Sequence, residues 1–100
     1  MKSKRTKAVD ITQKVKKIVW ERDNHCCIIC GSPYAMPNAH YLSRGQHLGL
    51  GIEQNIVTLC INCHQAFDQS TKHSEYKEFI KNYLMSKYAD WNEKDLVYRK

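Results

Sequence analysis

Two short stretches carry the side chains best suited to chemistry: HCCIICG at 25–31 and LCINCHQ at 59–65. Cys27-x2-Cys30 and Cys60-x2-Cys63 form two knuckles, and each such loop can present two thiolates to one tetrahedral zinc at about 2.3 Å. Two C-x-x-C motifs in one small chain separate this pattern from a single redox dithiol or from scattered buried thiols. Cys26 is the odd fifth cysteine. A Cys26-x3-Cys30 pairing is also open, although the two-residue spacing and Gly31 after Cys30 favour Cys27 as the ligand. The knuckles are 29 residues apart, more than the roughly 15–20 of a simple zinc ribbon, so something is inserted between the zinc-binding halves. The insertion contains His40, a glycine loop and Asn55. His64 follows the second knuckle directly, and four thiolates that already close a site leave its imidazole for another purpose.

The elements that must hold these residues can be read from periodicity. Asp10 can cap a helix with Ile11, Val15, Ile18 and Val19 on one face, ending near Asp23 and Asn24. Residues 25–37 contain a glycine and two prolines and read as a knuckle with a turn. Residues 38–43, NAHYLS, are a short strand candidate. The following segment, RGQHLGLGIEQ, holds three of the four glycines and forms the main loop. IVTLC at 56–60 is β-branched and apolar, hence a strand feeding a helix from about Asn62 to Asp68. From Ser74 onward, Tyr76, Phe79, Ile80, Tyr83, Leu84 and Tyr88 fall on one helical stripe, as core packing requires. Asn92, with Asp95 three residues on, resembles the cap of a last turn carrying Leu96 and Val97.

The chain has 100 residues and five cysteines, about the size of one domain and small enough to benefit from a staple. No apolar run approaches the ~20 residues of a membrane span, and no apolar signal core follows the basic N-terminus. Cysteines paired as C-x-x-C then point to a reducing cytoplasm and to metal ligation. Net charge is +6, and residues 1–17 hold seven Lys/Arg against the single acid Asp10, which leaves residues 18–100 balanced. An arm of that composition neutralises phosphates, with a short solvated tail as the bland alternative. The expected organisation is a flexible basic arm over 1–8 and one domain over 9–100, with a core at 21–68 and C-terminal helices at 74–98.

From ERDNHCCIICG through NAHYLSRG to EQNIVTLCINCHQ, roughly positions 21–65, the sequence resembles the HNH endonucleases, particularly the small phage-encoded type. The spacing His40-x14-Asn55-x8-His64, locked between two C-x-x-C knuckles, carries the resemblance. It implies an α+β chain with a ββα-metal core: two strands carrying the first histidine and the asparagine, then a helix carrying the last histidine, stapled by a structural zinc on Cys27, Cys30, Cys60 and Cys63. N- and C-terminal helices flank this core. His40 then matches the general base, Asn55 the residue that ties the loop and helps orient the base, and His64 a ligand of a catalytic divalent ion, whether Mg²⁺, Mn²⁺, Ni²⁺ or Zn²⁺. An unperturbed imidazole, with a pKa near ~6.5, accepts a proton at neutral pH.

The implied partner is DNA, held largely through its backbone by Lys4, Arg5, Lys7, Lys14, Lys17, Arg44 and His47, with no membrane involved. Likeness to phage proteins encoded near packaging genes extends the expectation to genome processing and packaging proteins. His25 and His73 match no role. In the family the residue before the base is usually an acidic or histidine metal ligand, whereas here it is Ala39. Three readings stay open: the ion is held by His64, phosphate and water; Asn38 or His47 substitutes; or the site is weakened. The competitor from another class is a non-catalytic, zinc-stabilised nucleic-acid-binding module.

Overall fold

The computed structural model describes residues 8–43, 45, 48–69 and 71–98. Helix α1, Gln13–Arg22, starts at Thr12 rather than at Asp10: the Thr12 hydroxyl oxygen accepts a hydrogen bond from the Val15 amide at 3.2 Å. A hydroxyl at this position satisfies one of the amides that a helix start leaves without partners. The helix ends at Asp23, and the chain then reverses through Asn24 and His25, both at φ 60°. That left-handed region is costly for a residue with a Cβ. The His25 ring stacks on Trp20, with centroids 5.2 Å apart, which helps to hold the reversal.

Strand β1, Ala35–His40, pairs antiparallel with β2, Ile56–Cys60, in a two-stranded sheet. The register runs from Ala35 opposite Cys60 to His40 opposite Ile56, with an irregularity between Met36 and Ala39. β1 therefore begins three residues before the start expected from the sequence and runs through Pro37. A proline has no amide to give a ladder, and a strand accommodates it at an edge or a bulge; this strand supplies both. All five residues of β2 are buried, in keeping with its β-branched, apolar composition.

Helix α2, Ile61–Gln69, leaves the end of β2 with no intervening loop, and α3, His73–Lys87, packs against it while α1 covers the two strands. Ala39, Val57, Leu59, Phe67, Ile80, Leu84 and Leu96 form one core together with Cys27, Cys60 and Cys63. On α3 the expected stripe holds at Ile80 and Leu84, whereas Phe79, at its margin, remains 45% exposed. Asn92 caps a short 3-10 turn, Glu93–Leu96, through its side-chain oxygen and the Lys94 amide at 2.9 Å. The chain is thus a small α+β protein. Among the described residues no helix is long and apolar enough to cross a membrane.

A polar cluster inside this fold had no forecast in the sequence. The Asp23 side chain, fully enclosed, accepts from Arg22 Nε at 2.7 Å, the Thr58 amide at 2.9 Å and the Tyr83 hydroxyl at 2.6 Å. Arg22 also donates to the carbonyls of Glu53 and Ile56, each at 2.7 Å. Helix α1, strand β2 and helix α3 are therefore joined through one carboxylate. Asp23→Ala would leave a buried guanidinium without its counter-charge, and we expect a loss of about 3–5 kcal/mol, read as a lower urea midpoint in metal-saturated protein. A loss within about 0.5 kcal/mol, the range of an ordinary surface substitution, would mean that water replaces the carboxylate.

Candidate metal centre and histidine site

The first knuckle is closed by backbone bonds. The Cys27 amide donates to the Ser32 carbonyl at 2.8 Å, and the Gly31 amide donates to the Cys27 carbonyl at 2.9 Å. Gly31 stands at φ 79°, where lacking a Cβ matters. The second knuckle is the junction of β2 and α2: Cys60 ends the strand, and Cys63, in the first helical turn, directs its amide to Cys60 Sγ at 3.4 Å. The four sulfurs of Cys27, Cys30, Cys60 and Cys63 all lie within 4.8 Å of one another, and Cys30 and Cys60 approach to 3.5 Å. A tetrahedral ion with ~2.3 Å bonds to sulfur needs edges of about 3.8 Å, so these cysteines are positioned to hold a metal ion and fit structural zinc.

Cys26 lies outside the group, its thiol directed at the Asp23 carbonyl 3.5 Å away. Burial opposes charging of Cys27, yet hydrogen bonds from the backbone of Cys30, Cys60 and Ile29 outweigh it and bring this thiol down to about 7. Cys63 is pushed up by burial and by the neighbouring sulfurs. Thiols that still carry a proton lose it as metal binds.

His40 closes β1. Its Nε2 lies 3.0 Å from the Val9 carbonyl, and a carbonyl only accepts, so the bond places the proton on Nε2 and the basic lone pair of the neutral ring on Nδ1. The adjoining chain is held by Asn55. This residue has no exposure; its Oδ1 accepts from the Leu42 amide at 2.8 Å, and its Nδ2 donates to the Leu42 and Leu50 carbonyls at 3.2 and 2.8 Å. The Asn55 carbonyl in turn accepts from the Tyr41 amide at 2.7 Å. Asn55 therefore ties together the two ends of the loop that follows His40, without reaching the surface itself.

His64 lies half-buried at the end of the first turn of α2, and its Nε2 is 3.3 Å from Asp68 Oδ2, one helical turn on. Asp68 also lines an open depression of about 400 Å³ with His40, Tyr41, His73 and Lys77. His64 lines a second one with Asn38, Met36 and Ile61. His40 and His64 thus face different recesses, with Asp68 lining one and touching the histidine of the other. Asp68 was not singled out from the sequence, although a carboxylate four residues after a histidine on a helix is the signal that would have found it.

His73 stacks on Phe67, with centroids 5.0 Å apart, at the edge of the His40 depression. Ala39 is wholly enclosed in the core, so a carboxylate there would meet apolar side chains rather than open solvent. Among the described residues, the cysteine set is the sole group of three or more potential ligands within metal-binding distance of one another.

Lys14 and Lys17 stand exposed on α1. Lys4, Arg5, Lys7, Arg44 and His47 lie outside the described residues. A further depression of about 410 Å³, lined by Ile52, Tyr88, Trp91 and Leu96 among others, shares no residue with the histidine recesses. Its Trp91 indole is committed to the Gln54 carbonyl at 2.8 Å. Comparison of the chain with protein-family models, with curated proteins and with solved structures gives no match in any of the three.

Proposed function

We propose that the protein is a metal-dependent DNA endonuclease of the HNH kind, its ββα core stapled by a structural zinc on the four cysteines. The observation that supports this reading most is the setting of His40. An imidazole with its proton fixed on Nε2 sits at the end of a strand, in an open depression shared with Asp68, whose carboxylate meets His64. His40 Nδ1 takes a proton from the attacking water, and Asn55 keeps the chain after His40 in place as it does so. His64 and Asp68 are the side chains that would hold the catalytic ion, with Asn38 beside His64. Such an ion offsets the charge that develops on the phosphate and on the departing oxygen.

A plasmid-nicking assay with Mg²⁺, Mn²⁺, Ni²⁺ and Zn²⁺ in turn tests the proposal. Conversion of supercoiled to nicked or linear DNA with at least one ion is expected. The enclosure of Ala39 and the absence of a second group of three ligands among the described residues favour the competing binding module. DNA retention without cleavage under every ion would install that reading instead.

In either case the N-terminal arm supplies phosphate contacts. The arm was expected to extend through residue 8, but the Ala8 carbonyl accepts a hydrogen bond from the Gly51 amide at 2.9 Å, so a deletion that spares the fold should stop at residue 7. Removing residues 1–7 takes away four Lys/Arg. It should flatten the dependence of log K on log salt by up to about 0.9 per lost phosphate contact. A slope identical to that of the full chain would reduce the arm to a solvated tail.

A further inference from the structure

The His40 ring is oriented by a segment distant from it in sequence, and the loop beneath that segment is shaped to receive it. Val9, whose carbonyl meets His40 Nε2 at 3.0 Å, is itself 6% exposed. On its two sides, the Ala8 carbonyl takes the Gly51 amide, and the Asp10 carbonyl oxygen lies 2.1 Å from where a Cβ on Gly51 would stand. No side chain fits in that space, so glycine at 51 is what allows the segment to lie against the loop. The loop is held from the other side as well: the Leu50 amide donates to the Leu96 carbonyl at 2.7 Å, and Asn55 Nδ2 donates to the Leu50 carbonyl.

We infer that residues 8–10 are a positioning strap for the histidine site, in which the Val9 carbonyl fixes the tautomer and the ring plane of His40, and Gly51 is the seat that keeps the strap in register. The inference deepens the nuclease reading and rests on His40 as its base. Its consequence is that the residue that orients the base follows the basic arm by two positions in the sequence. Val9 acts through His40 and touches no substrate. A strap that merely closed the fold would leave the protonation pattern and the bound-state cleavage rate indifferent to its exact seating.

The experiment uses the full-length, zinc-loaded protein. Long-range ¹H–¹⁵N correlation of the imidazoles, above the pH at which they are protonated, should show His40 as a single tautomer with hydrogen on Nε2. A ring protonated on Nδ1 overturns the inference without any variant being made. Gly51→Ala should then displace the strap, mix the tautomers and lower the single-turnover rate at saturating DNA by about 10²-fold, the usual cost of a misplacement near 1 Å. Zinc content and DNA affinity should not change.

Should Gly51→Ala fail to fold, Val9→Ser loosens the same anchor outside the main core and should lower the rate by a smaller factor in the same direction. A wild-type rate in a folded variant whose His40 signal has changed shows the strap to be structural only. Absence of cleavage by the wild type with every metal is a different outcome: it removes the nuclease reading, and the strap's catalytic role with it.

Discussion

Serine in place of Cys60 or Cys63 should leave a protein that no longer melts cooperatively at room temperature, and removal of the ion by a strong chelator should do the same to the wild type. Both residues are buried members of the core, and Cys60 joins β2 directly to α2, so the metal centre and the hydrophobic core share atoms. The apparent binding free energy of a structural zinc, on the order of 10–16 kcal/mol, equals or exceeds the whole stability of a typical domain, roughly 5–15 kcal/mol. For a chain of 100 residues its loss is decisive. Cys27→Ser and Cys30→Ser should follow the same pattern, with Cys30, the exposed one, the least damaged. Cys26→Ser removes a thiol outside the four-cysteine group, directed at the Asp23 carbonyl, and should change stability by less than about 1 kcal/mol. Metal analysis with circular dichroism decides the matter: a folded protein without tightly bound zinc, or a Cys26 variant as damaged as the Cys60 variant, refutes this ligand assignment.

The cysteine set could be read from the sequence because a knuckle is a local object: the two-residue spacing defines it, and in the first knuckle Gly31 marks the turn as well. The same holds for β2, whose five buried residues are a continuous β-branched and apolar run, and for the Asn92 cap, which lies beside the turn it closes. Less was legible wherever the partner is distant. Thr12 and Asp10 are both good caps by residue type; Thr12 caps, and Asp10 lies instead in the segment that docks on Gly51, far away in sequence. Pro37 argued against a strand that exists because its bulge and its edge position remove the need for an amide. Arg22 and Asp23 looked like an ordinary helix end, since nothing local announces that Thr58, Tyr83 and two carbonyls converge on them. The Val9 contact leaves no trace in residue type at all, because the acceptor is a backbone carbonyl; only the glycine that must face the strap is visible in the sequence.

His40→Ala should keep the zinc, the melting temperature and DNA binding, and lose about 10²–10⁴-fold in cleavage rate, the usual worth of a positioned general base. The half-buried ring meets the Val9 carbonyl through Nε2, and His40 is not among the residues of the core, so its removal tests chemistry more than stability. His64→Ala and Asp68→Asn should respond differently. Each removes one member of a pair 3.3 Å apart on one helix, and if the pair holds the catalytic ion, each variant should need a higher metal concentration for half-maximal cleavage and recover part of its rate as metal is added. The His40 variant should recover none, because more metal cannot replace a missing proton acceptor. Metal titrations of the three variants on a plasmid substrate therefore assign base and ligands separately. Equal rescue of all three would place His40 among the ligands. No loss in any of them, in a protein that cleaves, would move the reacting centre away from these histidines.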